Sequence, residues 1–507
     1  MADVRAGVLA VVMAAGSPGA CPPAKAPLTV RVDSGWLRGV EKGDSRQFLG
    51  VPYAAPPTGA LRWTLPRRAR PWQGVRDAGR PGDDCVQPAR KPPAPSSEDC
   101  LYLNVTTPRG RRGGLPVMVW WHGGGFTQGS GKDYDARRLA EQGNVIVVTV
   151  NYRLGIFGYL GLPGLRGSGD FGFADQIAAV EWARRNAPAF GGDPRNITVF
   201  GQSAGAMSAC ALLTSPKARG LVAKAIVSSG SCDVRWPVGG LFPGTPAERP
   251  YVSLARSRDD GLAAAKELGC RTDVLACLRR KTSAELLPQS PSFADHLAYG
   301  TELLPEDPAA ALRKGAFARV PVMIGGTRDE ARAFVGGALA YDPTLITPAT
   351  YPRLLRRAFG AHADAVAARY PLARYPSAGL AWAAVLTDAS WACPALSAAR
   401  RLGAYSYEFA DENAPNVNGL HVPDVPQGAA HATDLPYLFD LGGRDLLGTP
   451  DRVGLARTMI GYWTAFARTG DPNHRGAPTW RSGTLSLAPH AVRTVDAAAE
   501  HQCRFWG

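Results

Sequence analysis

Val199-Phe200-Gly201-Gln202-Ser203-Ala204-Gly205-Ala206 is the stretch on which the reading of this chain turns. An apolar, β-branched run from Asn196 to Phe200 leads into it, and a segment of small residues with helical composition follows. Strand, tight turn and helix in that order are what a Gly-x-Ser-x-Gly turn needs to lift a hydroxyl clear of a sheet. A Cβ at either glycine would press on the neighbouring strand or helix, and the serine itself takes a strained backbone conformation. Ser203 then stands at the positive N-terminal end of the helix. A serine so placed points to nucleophilic chemistry, and it sets out what the rest of the chain must supply.

The surrounding pattern is that of a sheet layered between helices. Pro116 to Trp121 and Val145 to Asn151 are continuous apolar runs, the signature of parallel strands buried on both faces. Ala223 to Val227 and Pro321 to Gly325 are two more, and Ala404 to Ala410 alternates Tyr405, Tyr407 and Phe409. Helices are expected over Asp133 to Gly143, Ala174 to Ala187 (ended by Pro188 and Gly191-Gly192) and Val453 to Arg468. Leu28 to Trp63 reads as antiparallel strands with turns at Asp33-Ser34-Gly35 and Lys42-Gly43-Asp44, and Leu101 to Thr106 as one strand more. The proline-rich stretch Phe48 to Pro57 is expected to pack as a rigid extended segment, not as a central strand. Alternation of strand and helix predicts an α/β sheet with right-handed crossovers, its ligand rim at the C-terminal ends of the strands.

A serine hydroxyl needs a base and a group that fixes the tautomer of that base. It also needs N–H donors aimed where the carbonyl oxygen gains charge. The segment His122-Gly123-Gly124-Gly125-Phe126 directly follows a buried strand, and its glycines let the backbone turn amides inward. Gly124 and Gly125, with the amide of Ala204, are the expected oxyanion donors. Among eight histidines, His431 sits in a small-residue loop before an aromatic stretch, His421 lies near Asp424, and His122 belongs to the glycine turn. Composition alone does not choose between His431 and His421. For the acid, Asp329 and Glu330 follow a buried strand side by side, and sequence physics does not separate them.

Composition bounds the remaining possibilities. The chain has 507 residues, 45% of them apolar and 20% charged, which suits a globular protein with a large core. No apolar run approaches the roughly 18–20 residues of a membrane span. The formal net charge is +14, yet the arginines are scattered and lack an aromatic stacking array, so nucleic acid is not an expected partner. Ala6 to Gly16 is a short apolar run behind Arg5 and resembles a secretion leader over residues 1–25, which leaves 26–507 as a single domain. A lipid anchor on Cys21 is the lesser alternative, since the expected upstream leucine is missing. Nine cysteines fit an oxidising compartment, and none of their spacings is Cys-x-x-Cys, so no structural zinc is expected. Their spacing does not establish connectivity.

Taken together, these motifs resemble the type-B carboxylesterase family, relatives of the cholinesterases with the α/β-hydrolase fold. The match includes Phe48-Leu49-Gly50-Val51-Pro52-Tyr53-Ala54, Ser97 to Asn104, His122 to Phe126, Phe190 to Pro194, the serine turn, and Trp463 to Asn473. The resemblance implies Ser203 as nucleophile, Glu330 as the acid and His431 as the base, with Ser229 supporting them from behind. It implies disulfides Cys85–Cys100, Cys270–Cys277 and Cys393–Cys503, and leaves Cys210 and Cys232 as buried free thiols.

Two departures from the family pattern bear on specificity. Gln202 stands before the serine where glutamate is common, which removes a negative charge beside the nucleophile. The Cys85–Cys100 loop has no tryptophan, so a choline group finds no cation–π partner there and cholinesterase specificity is not expected. The expected protein is a secreted, monomeric, cofactor-free serine esterase acting on small neutral carboxylic esters. A lipase or polyester-active hydrolase is the nearer alternative, and a non-catalytic adhesion module the more distant one.

Overall fold

The computed structural model describes residues 27–89, 94–110 and 113–507. The leader expected over residues 1–25, Cys21 included, lies outside them. An 11-stranded sheet forms the centre. In chain order its strands are β1 Val40–Lys42, β2 Ser45–Pro52, β3 Tyr102–Pro108, β4 Leu115–Trp121, β5 Ile146–Val150, β6 Gly192–Gln202, β7 Lys224–Ser228, β8 Val322–Thr327, β9 Tyr405–Phe409, β10 Thr484–Leu487 and β11 Arg493–Val495. Across the sheet the order is β11-β10-β9-β8-β7-β6-β4-β5-β3-β2-β1. The block from β10 to β5 is parallel, and antiparallel strands close both edges.

This order fixes where a ligand can sit. From β4 the chain crosses to β5 on one side through helix α1, Arg137–Gly143. It then returns past β4 through helix α2, Phe171–Phe190, to β6 on the other side. The reversal opens a crevice at the C-terminal ends of β4 and β6, where a doubly wound sheet binds its ligands. Gly201 pairs with Trp121 across those two strands, so the residues that follow each emerge side by side.

Both faces of the sheet are covered, and this accounts for the unbroken apolar runs. Alternate residues of β4 divide between two cores. Met118 and Trp120 pack with Phe200, Trp463 and Phe466, the last two from helix α4, Pro450–Thr469. Val117, Val119 and Trp121 face the other way, against Ile177, Val180 and Met207. Met207 belongs to helix α3, Ala204–Thr214, which leads away from Ser203.

Three local expectations need correction. The stretch from Phe48 is strand after all: β2 pairs with β3 from Ser45 to Pro52. Its register shifts between Phe48 and Val51, where Gly50 adopts φ +63° and Cβ would stand 2.5 Å from the Arg80 carbonyl. The proline falls at the end of the strand, where its missing N–H costs no ladder bond. Helix α2 runs past Pro188 to Phe190, because a proline in the final turn removes a single bond and Gly191, at φ +91°, caps the end.

The third correction concerns the cysteines. Cys85–Cys100, Cys270–Cys277 and Cys393–Cys503 are bonded as the resemblance implied, but Cys210 and Cys232 are joined as well and are not free thiols. The crossover from α3 to β7 brings their Cα atoms to 5.4 Å, within bonding range. Replacing both with alanine is expected to lower the unfolding free energy by about 3 kcal/mol, by loop entropy across a separation of 22 residues. Urea titration of variant and parent in oxidising buffer measures this, and coincident midpoints would show that the bond contributes nothing.

The C-terminal segment is tied down by a buried charge cluster. His501 Nδ1 donates to Asp388 Oδ1 at 2.6 Å, and Nε2 donates to Glu408 Oε2 at 2.5 Å. Burial alone would lower the affinity of this ring for its second proton, but the two carboxylates outweigh it and raise the histidine to about 10. Tyr370 Oη donates to the other oxygen of Asp388 at 2.7 Å, and Trp506 Nε1 donates to Tyr370 at 2.8 Å. The Cys393–Cys503 bond lies between those contacts in sequence.

Candidate active site

Ser203 occupies the turn between β6 and α3 at φ +55°, ψ −126°, a conformation that costs a non-glycine residue about 1–3 kcal/mol. The surroundings hold it there. Its N–H donates to the Ser228 carbonyl at 3.0 Å, and its own carbonyl accepts from Met207 N at 2.9 Å. Both glycines of the motif are required by space. A Cβ on Gly205 would stand 2.0 Å from the Trp121 carbonyl oxygen, and one on Gly201 2.5 Å from the Gly205 carbonyl carbon.

The glycine turn after β4 runs directly past this serine. A Cβ on Gly123 would come within 2.9 Å of Ser203 Cβ, so only glycine lets the two segments approach. Gly124 is held at φ +110° and Gly125 at φ +57°, while the Gly124 carbonyl accepts from Thr127 N and Gln128 N at 3.0 and 3.2 Å. Its carbonyl is thus turned back into the loop. Ala204 is the first residue of α3, so its amide has no partner within that helix. His122 supports the turn, stacked on Tyr152 at 4.3 Å, with the tyrosine hydroxyl donating to the His122 carbonyl at 2.7 Å.

Glu330 and His431 meet behind the serine. His431 Nδ1 donates to Glu330 Oε2 at 2.5 Å, and the backbone N–H of His431 donates to the Glu330 carbonyl at 3.3 Å. Glu330 Oε1 accepts from Thr327 N at 2.8 Å, so both carboxylate oxygens are committed. Phe334 and Trp391 flank the imidazole at ring distances of 5.1 and 4.9 Å. Asp329 points elsewhere: it pairs with Arg332 at 2.9 Å and accepts from Ala429 N at 3.1 Å. His421 is not among the residues lining the serine's cleft, and His431 is.

One contact departs from expectation. The other ring nitrogen of His431, Nε2, meets the side-chain nitrogen of Gln202 at 3.1 Å instead of the Ser203 hydroxyl. The reason is chemical. With its proton on Nδ1 facing Glu330, the ring offers a lone pair at Nε2, and glutamine brings an N–H donor where glutamate has only acceptors. Ser229, at φ +52°, donates its N–H to Gly325 at 2.7 Å and so fixes the ends of β7 and β8 together behind the cleft.

Residues outside the serine and glycine turns complete the site. Met207, Trp236, Leu241, Asp295, Phe334 and Trp391 line the cleft together with the glycine turn, Gln202, Ser203 and His431. Asp434 is buried three residues beyond the histidine. Burial first, and then the charge of Glu330, push it up to about 7. No local pattern marks these side chains, because each comes from a loop whose approach depends on the whole fold.

The carboxylesterase family model matches residues 26–506. Fumonisin B1 esterase of Sphingopyxis macrogoltabida is 36% identical, with 89% of this chain and 84% of that protein covered. Para-nitrobenzyl esterase of Bacillus subtilis is 34% identical over 88% of this chain and 90% of its own length, and carboxylesterase 5A of Felis catus is 34% identical over 93% and 92%. No helix among the described residues is long and apolar enough to cross a membrane. With a parallel sheet that delivers a strained serine to its switch point, and a family match over nearly its whole length, the chain belongs to the carboxylesterase family, α/β-hydrolases that cleave carboxylic esters.

Proposed function

We propose that Ser203 is the nucleophile of this esterase, His431 its general base and Glu330 the acid that orients the base. The observation that carries this reading is the Glu330–His431 bond on the rim of the cleft that also holds the strained Ser203. Glu330 holds the imidazole with its proton on Nδ1, so Nε2 is free to accept. When an ester enters, the Gln202 amide gives up Nε2, and Ser203 Oγ passes its proton there as it attacks the carbonyl carbon. The amides of Gly124, Gly125 and Ala204 receive the oxyanion, each donor contributing on the order of 3 kcal/mol to the transition state. His431 then protonates the departing alcohol. Water enters, loses a proton to the same nitrogen, and releases the acid from Ser203.

Labelling tests the assignment directly. A fluorophosphonate probe is expected to inactivate the enzyme with one equivalent bound, and peptide mass spectrometry to find it on Ser203. Inactivation with the label on another residue would overturn the reading. Four disulfides among the described residues support export to an oxidising compartment, so we also propose a secreted enzyme.

A further inference from the structure

Met207, Trp236, Leu241, Phe334 and Trp391 give the cleft an apolar portion, and the same cleft contains a carboxylate, Asp295. Asp295 follows Phe293 on a loop beside the glycine turn, and its backbone N–H donates to the Gly125 carbonyl at 3.3 Å. The backbone there is left-handed, at φ +50°, which only a few residue types tolerate. Among the described residues no hydrogen bond or ion pair reaches its side chain. Asp260, for comparison, takes His296 Nε2 at 2.9 Å and Arg256 Nε at 2.7 Å.

The charges around it make that isolation costly. Burial, then the nearby Glu248, push Asp295 up to about 7, against the opposing pull of His296 and His431. Glu248 is held in place by a reciprocal pair of backbone bonds with Trp236, both 3.0 Å, and Trp236 itself lines the cleft. Asp295 and Glu248 are both partly exposed, and His296, whose charge acts on each of them, is already engaged by Asp260. The Asp295 carboxylate is partly exposed, lines the cleft and has no protein donor there, so it is open to a donor that a ligand supplies. A protonated amine supplies both the N–H and the opposite charge that this carboxylate can accept.

We propose that Asp295 makes this cleft selective for esters carrying a protonated amine, its carboxylate accepting the ammonium N–H while Ser203 attacks the ester. The inference rests on the assignment of Ser203, since it places the amine relative to that serine. It adds a selectivity to the hydrolysis of neutral esters by the same serine.

Two sets of substrates at pH 7.5 test it. One carries the charge on the acyl side, p-nitrophenyl ε-aminocaproate against p-nitrophenyl caproate. The other carries it on the alcohol side, dimethylaminoethyl butyrate against the neutral neohexyl butyrate and the quaternary choline butyrate. For the wild type, kcat/KM is expected to favour the protonated amine about tenfold over its neutral counterpart in at least one set. Choline butyrate, which has no N–H, is expected to fall below dimethylaminoethyl butyrate if the alcohol-side set is the selective one. Asp295→Asn keeps the shape and tolerates the left-handed backbone, and it is expected to bring the amine-to-neutral ratio near one. A wild-type ratio near one in both sets would overturn the proposal without any variant, and so would a preference that survives in Asp295→Asn. Hydrolysis of the neutral esters in the same assay keeps the two readings apart: if they turn over without an amine preference, the serine assignment stands and only the role of Asp295 falls.

Discussion

Ser203→Ala is expected to reduce kcat on a p-nitrophenyl ester by on the order of 10⁶-fold while the protein remains folded. The loss is that large because no neighbouring group can take over: the glycine turn and α3 are shaped around one side chain at this point. Stability is expected to hold. Among the described residues the hydroxyl makes no bond that the fold uses, and the backbone bonds to Ser228 and Met207 do not involve the side chain. Single-turnover rates and a thermal melt on the same preparation make the comparison. Activity near the parent level would sink the assignment, whereas loss of activity together with a collapsed melt would count only against the fold.

Glu330→Gln is the second large effect, about 10⁴-fold in kcat if the acid works by fixing the histidine tautomer. The geometry leaves glutamine no good orientation. The Thr327 N–H, 2.8 Å from Oε1, requires an acceptor and so takes the amide oxygen. The amide nitrogen is then forced toward His431 Nδ1, where it can only donate. The ring responds by moving its proton to Nε2, which abolishes the lone pair that Ser203 needs. Asp329→Asn provides the contrast, because that carboxylate serves Arg332 and the Ala429 amide. A far smaller loss is expected there. Comparable losses for the two variants would mean that the pair acts through the structure of the loop and not through the imidazole.

The difference between those neighbours shows where sequence reasoning stops. The serine turn, the glycine turn and the apolar strands are local patterns, and each can be read from a window of a few residues. Asp329 and Glu330 have identical credentials by that standard. What separates them is a distant event, the return of the loop carrying His431 to the end of β8, and only the family resemblance anticipated it. The Cys210–Cys232 bond is hidden for the same kind of reason, since their pairing depends on how a crossover packs. Phe48 to Pro52 erred in the opposite direction. There the density of prolines argues against a strand, yet the single proline within the strand sits at its last position. Asp295, Trp236 and Trp391 carry no local signal, yet they line the same cleft as Ser203 and His431.

The way His501 is held has a practical consequence for anyone designing an expression vector. Trimming the chain after Glu500 would remove the histidine, Cys503 and Trp506 in one cut. Asp388 and Glu408 would then remain in an interior that no longer contains their cation, a defect of about 3–5 kcal/mol for a broken buried pair. An affinity handle fused after Gly507, by contrast, departs from an exposed residue and disturbs none of these contacts.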